Sequence, residues 1–164
     1  MTHLEAFAKQ LQVEATATRN ILALVPADKL DWQPHTKSMT MRALATHVAE
    51  LPSWVKVTLT TDELDFETSP YDPPALATGA EFVACFNSYL EEALTSLGQA
   101  KEEDLDKTWI MRSGETIYTT STKYGVLQMS VSQIIHHRAQ LGVYLRLLDI
   151  PLPGSYGPTA DVGF

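Results

Sequence analysis

Residues 126–148 constrain the fold more than any other stretch, because they carry two stripes at helical spacing side by side. Leu127, Val131, Ile134, Leu141, Leu145 and Leu148 form an apolar stripe with the three- and four-residue intervals of a buried helix face. Beside it run Val126, Ser130, Gln133, His137, Gln140, Tyr144 and Leu147, apolar at the ends and polar through the middle. Polar side chains next to a core face cost free energy unless they find partners. A helix of this kind therefore belongs in a bundle whose interior holds a polar ligand, a metal or a hydrogen-bonded network. Neighbouring residues on a helix point about 100° apart, so His136 and His137 cannot serve one site. The pattern turns His137 inward and leaves His136 on the flank.

Three further helical patterns supply the rest of a bundle. The first opens on the capping box "THLE" and runs through Leu4, Phe7, Leu11, Ala15, Thr18, Leu22 and Val25 to Pro26. The second begins near Ser38 and continues through Met41, Leu44, Val48, Leu51 and Val55, with Pro52 expected to bend it. The third follows the capping box "TGAE" at 78–81 and carries Phe82, Cys85, Phe86, Tyr89, Leu90, Ala93, Leu94 and Leu97 up to Gly98. Residues 61–77, rich in Asp, Glu and Pro, read as a long surface connection, and their acidic spacing does not match a calcium-binding EF-hand loop. "KTWIMRSGETIYTTST" has strand composition around Ser113-Gly114, and predicts a hairpin of Trp109–Arg112 with Thr116–Thr119. Residues 149–164 form an extended, proline-punctuated tail. The expected fold is all-α: a four-helix bundle, one domain over 1–164, with a short β-hairpin between helices three and four.

Charge and composition exclude several functions. A net charge of −8, without any Lys/Arg block, gives no electrostatic reason to bind nucleic acid or an anionic membrane. No apolar run approaches the roughly 20 residues of a membrane span, and the first twelve residues are amphipathic rather than signal-like. The single Cys85 cannot form an internal disulfide and fits a reducing cytoplasm; its apolar setting reads as a small buried hydrophobe. Trp32, Trp54 and Trp109 fall on separate elements, as core or pocket walls do. No Ser-His-Asp set, phosphate loop or cysteine pair offers a catalytic motif. His3 and His35 lie at a terminus and in a loop. His47 is mid-helix, beside Val48 and one turn past Leu44, where it is either a satisfied core histidine or, with His137, a metal ligand. Arg138 reads as one half of a structural ion pair.

The stretches "PHTKSMTMRALATHVAELPSW" (34–54) and "HHRAQLGVYLRLLDIPLPGSYGPTAD" (136–161) resemble the DinB/YfiT-like superfamily of metal-dependent proteins. The resemblance implies an up-down-down-up four-helix bundle, often a homodimer. It also implies a divalent metal, zinc or nickel, held by one histidine on helix two and two on helix four spaced i, i+4. His47 matches the first, and His137, directly before the Arg of "HRxQ", matches the last. The remaining position is Gln133, a departure from the pattern. Three readings follow: Gln133 is a weak third ligand through its amide oxygen; the site has decayed and Gln133 hydrogen-bonds His137; or Glu50, one turn beyond His47, completes the set. By resemblance the chain acts on a small molecule as a transferase or hydrolase using a low-molecular-weight thiol, with Gln140 and Tyr144 orienting the ligand. The other reading is a non-catalytic bundle that binds a small molecule or a partner and carries a degenerate metal site.

Overall fold

Pro52 divides what the apolar periodicity presents as one long helix. In the computed structural model, which describes residues 1–163, α1 spans His3–Leu22, α2 Met41–Glu50 and α3 Ser53–Thr60. After these come β1 Glu63–Asp65, α4 Gly79–Gln99, β2 Thr108–Ser113, β3 Thr116–Thr122 and α5 Lys123–Leu147. Two 3₁₀ turns, Ala27–Lys29 and Glu102–Asp106, precede α2 and β2. The expected all-α four-helix bundle with a hairpin is thus corrected on two counts. The described residues hold five α-helices and a three-stranded mixed sheet, and the chain is 56% helical and 10% strand.

Each correction has a physical cause. Proline lacks the N–H that would bond the carbonyl four residues earlier, and its ring crowds that carbonyl. A 3-4 spacing of apolar residues persists across such a break, because both α2 and α3 pack on α4. The second correction comes from the acidic connection. Glu63–Asp65 pairs in parallel with β2, Glu63 opposite Ile110 and Asp65 opposite Arg112, while β2 and β3 pair antiparallel. Asp65 locks this strand in place. Its Oδ1 accepts from the Glu67 and Gly114 amides at 3.0 Å each, and its Oδ2 meets Arg112 Nη1 at 2.9 Å. The Gly114 and Glu67 donors, then the Arg112 charge, hold the Asp65 carboxyl below the usual aspartate value.

The helix starts follow local rules. Thr2 and Glu5 cap α1 reciprocally, with Thr2 Oγ1 accepting from the Glu5 amide at 3.1 Å and Glu5 Oε2 from the Thr2 amide at 2.9 Å. Thr78 and Glu81 do the same for α4. Thr40, not Ser38, caps α2. The core fills the space between α1, α2, α4 and α5 with Leu11, Leu44, Val48, Phe82, Phe86, Leu127, Ile134, Leu141 and Leu145, each worth about 1.5–3 kcal/mol when fully buried. Trp109 seats the sheet on α3: it is fully buried, its Nε1 donates to Thr61 Oγ1 at 3.1 Å, and its ring meets Trp54 edge-on.

The N-terminus of α4 crosses the C-terminus of α1 so closely that a Cβ on Gly79 would fall 2.5 Å from the Ala23 carbonyl oxygen. Gly79→Ala should therefore lower the stability measured by urea unfolding by about 1–3 kcal/mol. Gly98, also in α4, faces open space, with no atom within 4 Å of where a Cβ would stand. Gly98→Ala should be neutral or stabilising by up to about 1 kcal/mol.

Candidate metal centre

His47 comes from the middle of α2, and His137 from the polar stripe of α5. The packing of these two helices brings the rings together, with centroids 4.6 Å apart and planes at 79°. Two imidazoles on one ion hold their centroids about 4.5–5.2 Å apart, given metal–nitrogen bonds of about 2.1 Å and angles of about 90–110°. That separation permits a shared ion without demanding one, since the neighbouring His136 and His137 rings of α5 stand 4.9 Å apart as well. Both rings are half-buried, whereas His136 is exposed. Burial, and then the adjacent His137 ring, hold His47 below the ordinary imidazole value. At neutral pH it presents a lone pair rather than a charge.

Second contacts orient the ring on α5. His137 Nδ1 donates to Gln140 Oε1 at 2.9 Å, which leaves Nε2 as the acceptor nitrogen. Metal-binding histidines are held in this way, the distal N–H spent on a carbonyl or carboxylate. Gln133 lies one turn before His137 on the same helix face. Its side-chain oxygen is buried and has no hydrogen-bond partner among the described residues. Such an oxygen costs about 1–3 kcal/mol when nothing binds it. Two imidazoles and an orphaned amide oxygen fit a weakly held divalent ion.

Glu50 does not complete the set. Its Oε2 accepts from the Tyr71 hydroxyl at 2.6 Å, and among the described residues no three His, Cys, Asp or Glu side chains converge as a metal-binding group. Nor does Gln133 hydrogen-bond His137, whose Nδ1 goes to Gln140 instead. Of the three readings of Gln133, these contacts remove the Glu50 set and the Gln133–His137 hydrogen bond, while a weak third ligand and a degenerate site both accord with an unpartnered amide oxygen.

A cavity of about 610 Å³ opens beside His47. One wall is the α2–α3 stripe, including Arg42, Thr46, His47, Glu50 and Trp54, and the other is the connection that follows β1, from Phe66 to Pro74. Its size suits a small organic ligand.

The comparisons with known proteins agree with this architecture. The DinB family model matches residues 1–161. The chain belongs to the DinB family. It is similar to the uncharacterized Bacillus subtilis protein YrdA, 24% identical over 158 residues that cover 96% of this chain and 90% of YrdA. Among solved structures, it is similar to the DinB-like protein YjoA of Bacillus subtilis, with a TM-score of 0.69 and 20% identity over 92% of this chain and 96% of that one. A DinB-like protein from Bacillus cereus gives a TM-score of 0.69 and 18% identity, covering 93% and 97% of the two chains. Likeness at these identities speaks to the DinB fold.

In this DinB-family chain the other candidate residues have defined places. Gln140 is exposed and contacts His137 itself, so it positions a ring. Tyr144 donates to the Met39 carbonyl at 3.2 Å and packs edge-on against Trp32, joining α5 to the segment that leads into α2. Cys85 is half-buried, its thiol pushed up by burial and then by Glu50. Sequence reasoning missed Arg42 and Tyr71 as cavity residues. Arg42 lies about 140° around α2 from His47, so helical spacing does not group the two; Tyr71 lies in a connection whose path only tertiary contacts decide. No described helix of the chain is long and apolar enough to cross a membrane.

Proposed function

We propose that this DinB-family protein holds a divalent ion, zinc or nickel, between His47 and His137 with Gln133 as a weak third donor. In this reading it acts as a transferase or hydrolase on a small molecule bound in the adjacent cavity, with a low-molecular-weight thiol as co-substrate. One observation carries the proposal: the buried, partnerless Gln133 oxygen one turn from an imidazole pair at ion-sharing separation. A divalent ion with an open position supplies Lewis acidity and makes a thiol or water nucleophilic at neutral pH. The chain's own residues do the rest. Gln140 fixes the His137 tautomer, the Tyr71–Glu50 hydrogen bond ties the cavity's two walls to each other, and Trp54 with Phe66 shields the substrate from water.

Metal analysis of the purified protein tests this. Stoichiometric zinc or nickel, lost in both His47→Ala and His137→Ala while circular dichroism stays helical, is the expected outcome. A second reading, a non-catalytic small-molecule binder with a degenerate site, draws on the absence of a third His, Cys, Asp or Glu among the described residues. A parent protein that takes up no metal on loading, with both variants merely destabilised, would establish that reading instead.

A further inference from the structure

The cavity that His47 lines is also lined by a cation with no counter-ion. Arg42 lies in the first turn of α2, half-buried, in the wall of the 610 Å³ cavity. Its Nη1 donates to the Leu76 carbonyl at 2.6 Å. Arg112, Arg138 and Arg146 each pair with a carboxylate; Arg19 and Arg42 form no ion pair among the described residues, and of these two only Arg42 lines this cavity, Arg19 bonding Asn87 elsewhere on the molecule. The chain has 20 acidic residues against 12 basic ones, so carboxylates are not scarce. Two carboxylates, Glu50 and Asp72, share the cavity, and neither pairs with Arg42; Glu50 is engaged by Tyr71, and eight residues of helix place it about 12 Å along the axis from Arg42.

We propose that Arg42 is the recognition point for a carboxylate on the substrate, which is therefore a small organic acid with an apolar body. The inference rests on the reading of this cavity as the substrate site of the His47 centre. A guanidinium presents parallel donors that match a carboxylate in two-point contact. The Leu76 carbonyl already holds one nitrogen, so less freedom is lost when the acid docks. Leu64, Phe66, Trp54 and Val57 offer apolar surface for the body. Five residues of helix separate Arg42 from His47, about 7.5 Å along the axis.

Titration calorimetry with phenylacetate and its neutral isostere phenylacetamide tests the proposal, on protein stripped of metal by chelation and on zinc-loaded protein. The acid should bind about 10- to 100-fold more tightly than the amide in both forms. Arg42→Gln should abolish the preference, and Arg42→Lys should restore part of it through charge without the fork. The lysine rescue separates recognition from loss of the Leu76 contact alone. Equal binding of acid and amide by stripped protein, binding of neither, or a preference that survives Arg42→Gln overturns the proposal. A preference confined to zinc-loaded protein and indifferent to Arg42 places the carboxylate on the ion, which overturns the Arg42 assignment and leaves the metal reading intact. An Arg42-dependent preference in a protein that takes up no zinc supports the carboxylate subsite while the metal reading fails.

Discussion

Glu14→Ala should destabilise the protein by about 3–5 kcal/mol, the cost of stranding a buried charge by removing its partner. Glu14 on α1 is 4% exposed and Arg138 on α5 is 3% exposed. Glu14 Oε2 lies 2.8 Å from Arg138 Nη1 and accepts from the Tyr156 hydroxyl at 2.6 Å. Arg138 also donates to the Glu14 carbonyl at 3.1 Å, to Thr18 Oγ1 at 3.2 Å and to Tyr156 at 2.6 Å. Without the carboxylate the guanidinium keeps its neutral acceptors but has no counter-charge in a dry interface. For a domain of this size the loss corresponds to a Tm lower by about 6–20 °C. The double variant Glu14→Leu, Arg138→Met should recover most of it, because apolar replacement of both partners leaves no charge to desolvate. Thermal denaturation of the single and double variants beside the parent checks this; a double variant no better than the single would show that the pair contributes through geometry rather than charge.

Gln133→His should tighten zinc or nickel binding by at least on the order of tenfold, since imidazole is a better donor than a neutral amide oxygen. Position 133 precedes His137 by one helical turn, the i, i+4 spacing at which two histidines of a single helix grip one ion. Tighter binding to the folded state also raises the stability of the loaded variant. His35→Ala is the control: that ring is exposed and lies outside α2 and α5, and its loss should leave metal affinity unchanged. Competition against a chromogenic chelator measures both. Unchanged affinity in Gln133→His would mean that residue 133 does not reach the imidazole pair.

Local chemistry made much of this protein legible in its sequence. The capping boxes at Thr2–Glu5 and Thr78–Glu81 form as spacing alone implies, and the two stripes of α5 separate half-buried His137 from exposed His136. What stayed hidden depends on partners distant in the chain. β1 is three residues long, too short for any alternation to register, and exists because Ile110, Arg112 and Gly114 supply its bonds. Glu14 falls between Leu11 and Ala15 of the apolar stripe, and Arg138 on α5 with Tyr156 beyond it makes a buried carboxylate tolerable there. Pro52 was visible, but whether a proline bends or interrupts a helix is decided by what packs on either side. The cavity was invisible for a similar reason, because its outer wall is the irregular stretch after β1.

The interruption at Pro52 divides labour within the cavity. His47, the proposed ion ligand, stands on one rod, while Trp54 and Val57, part of the cavity's apolar wall, stand on the next. Substitutions along the second rod can reshape the space offered to a guest without displacing the imidazole. A chain built this way can exchange one guest for another while its reactive end stays as it is.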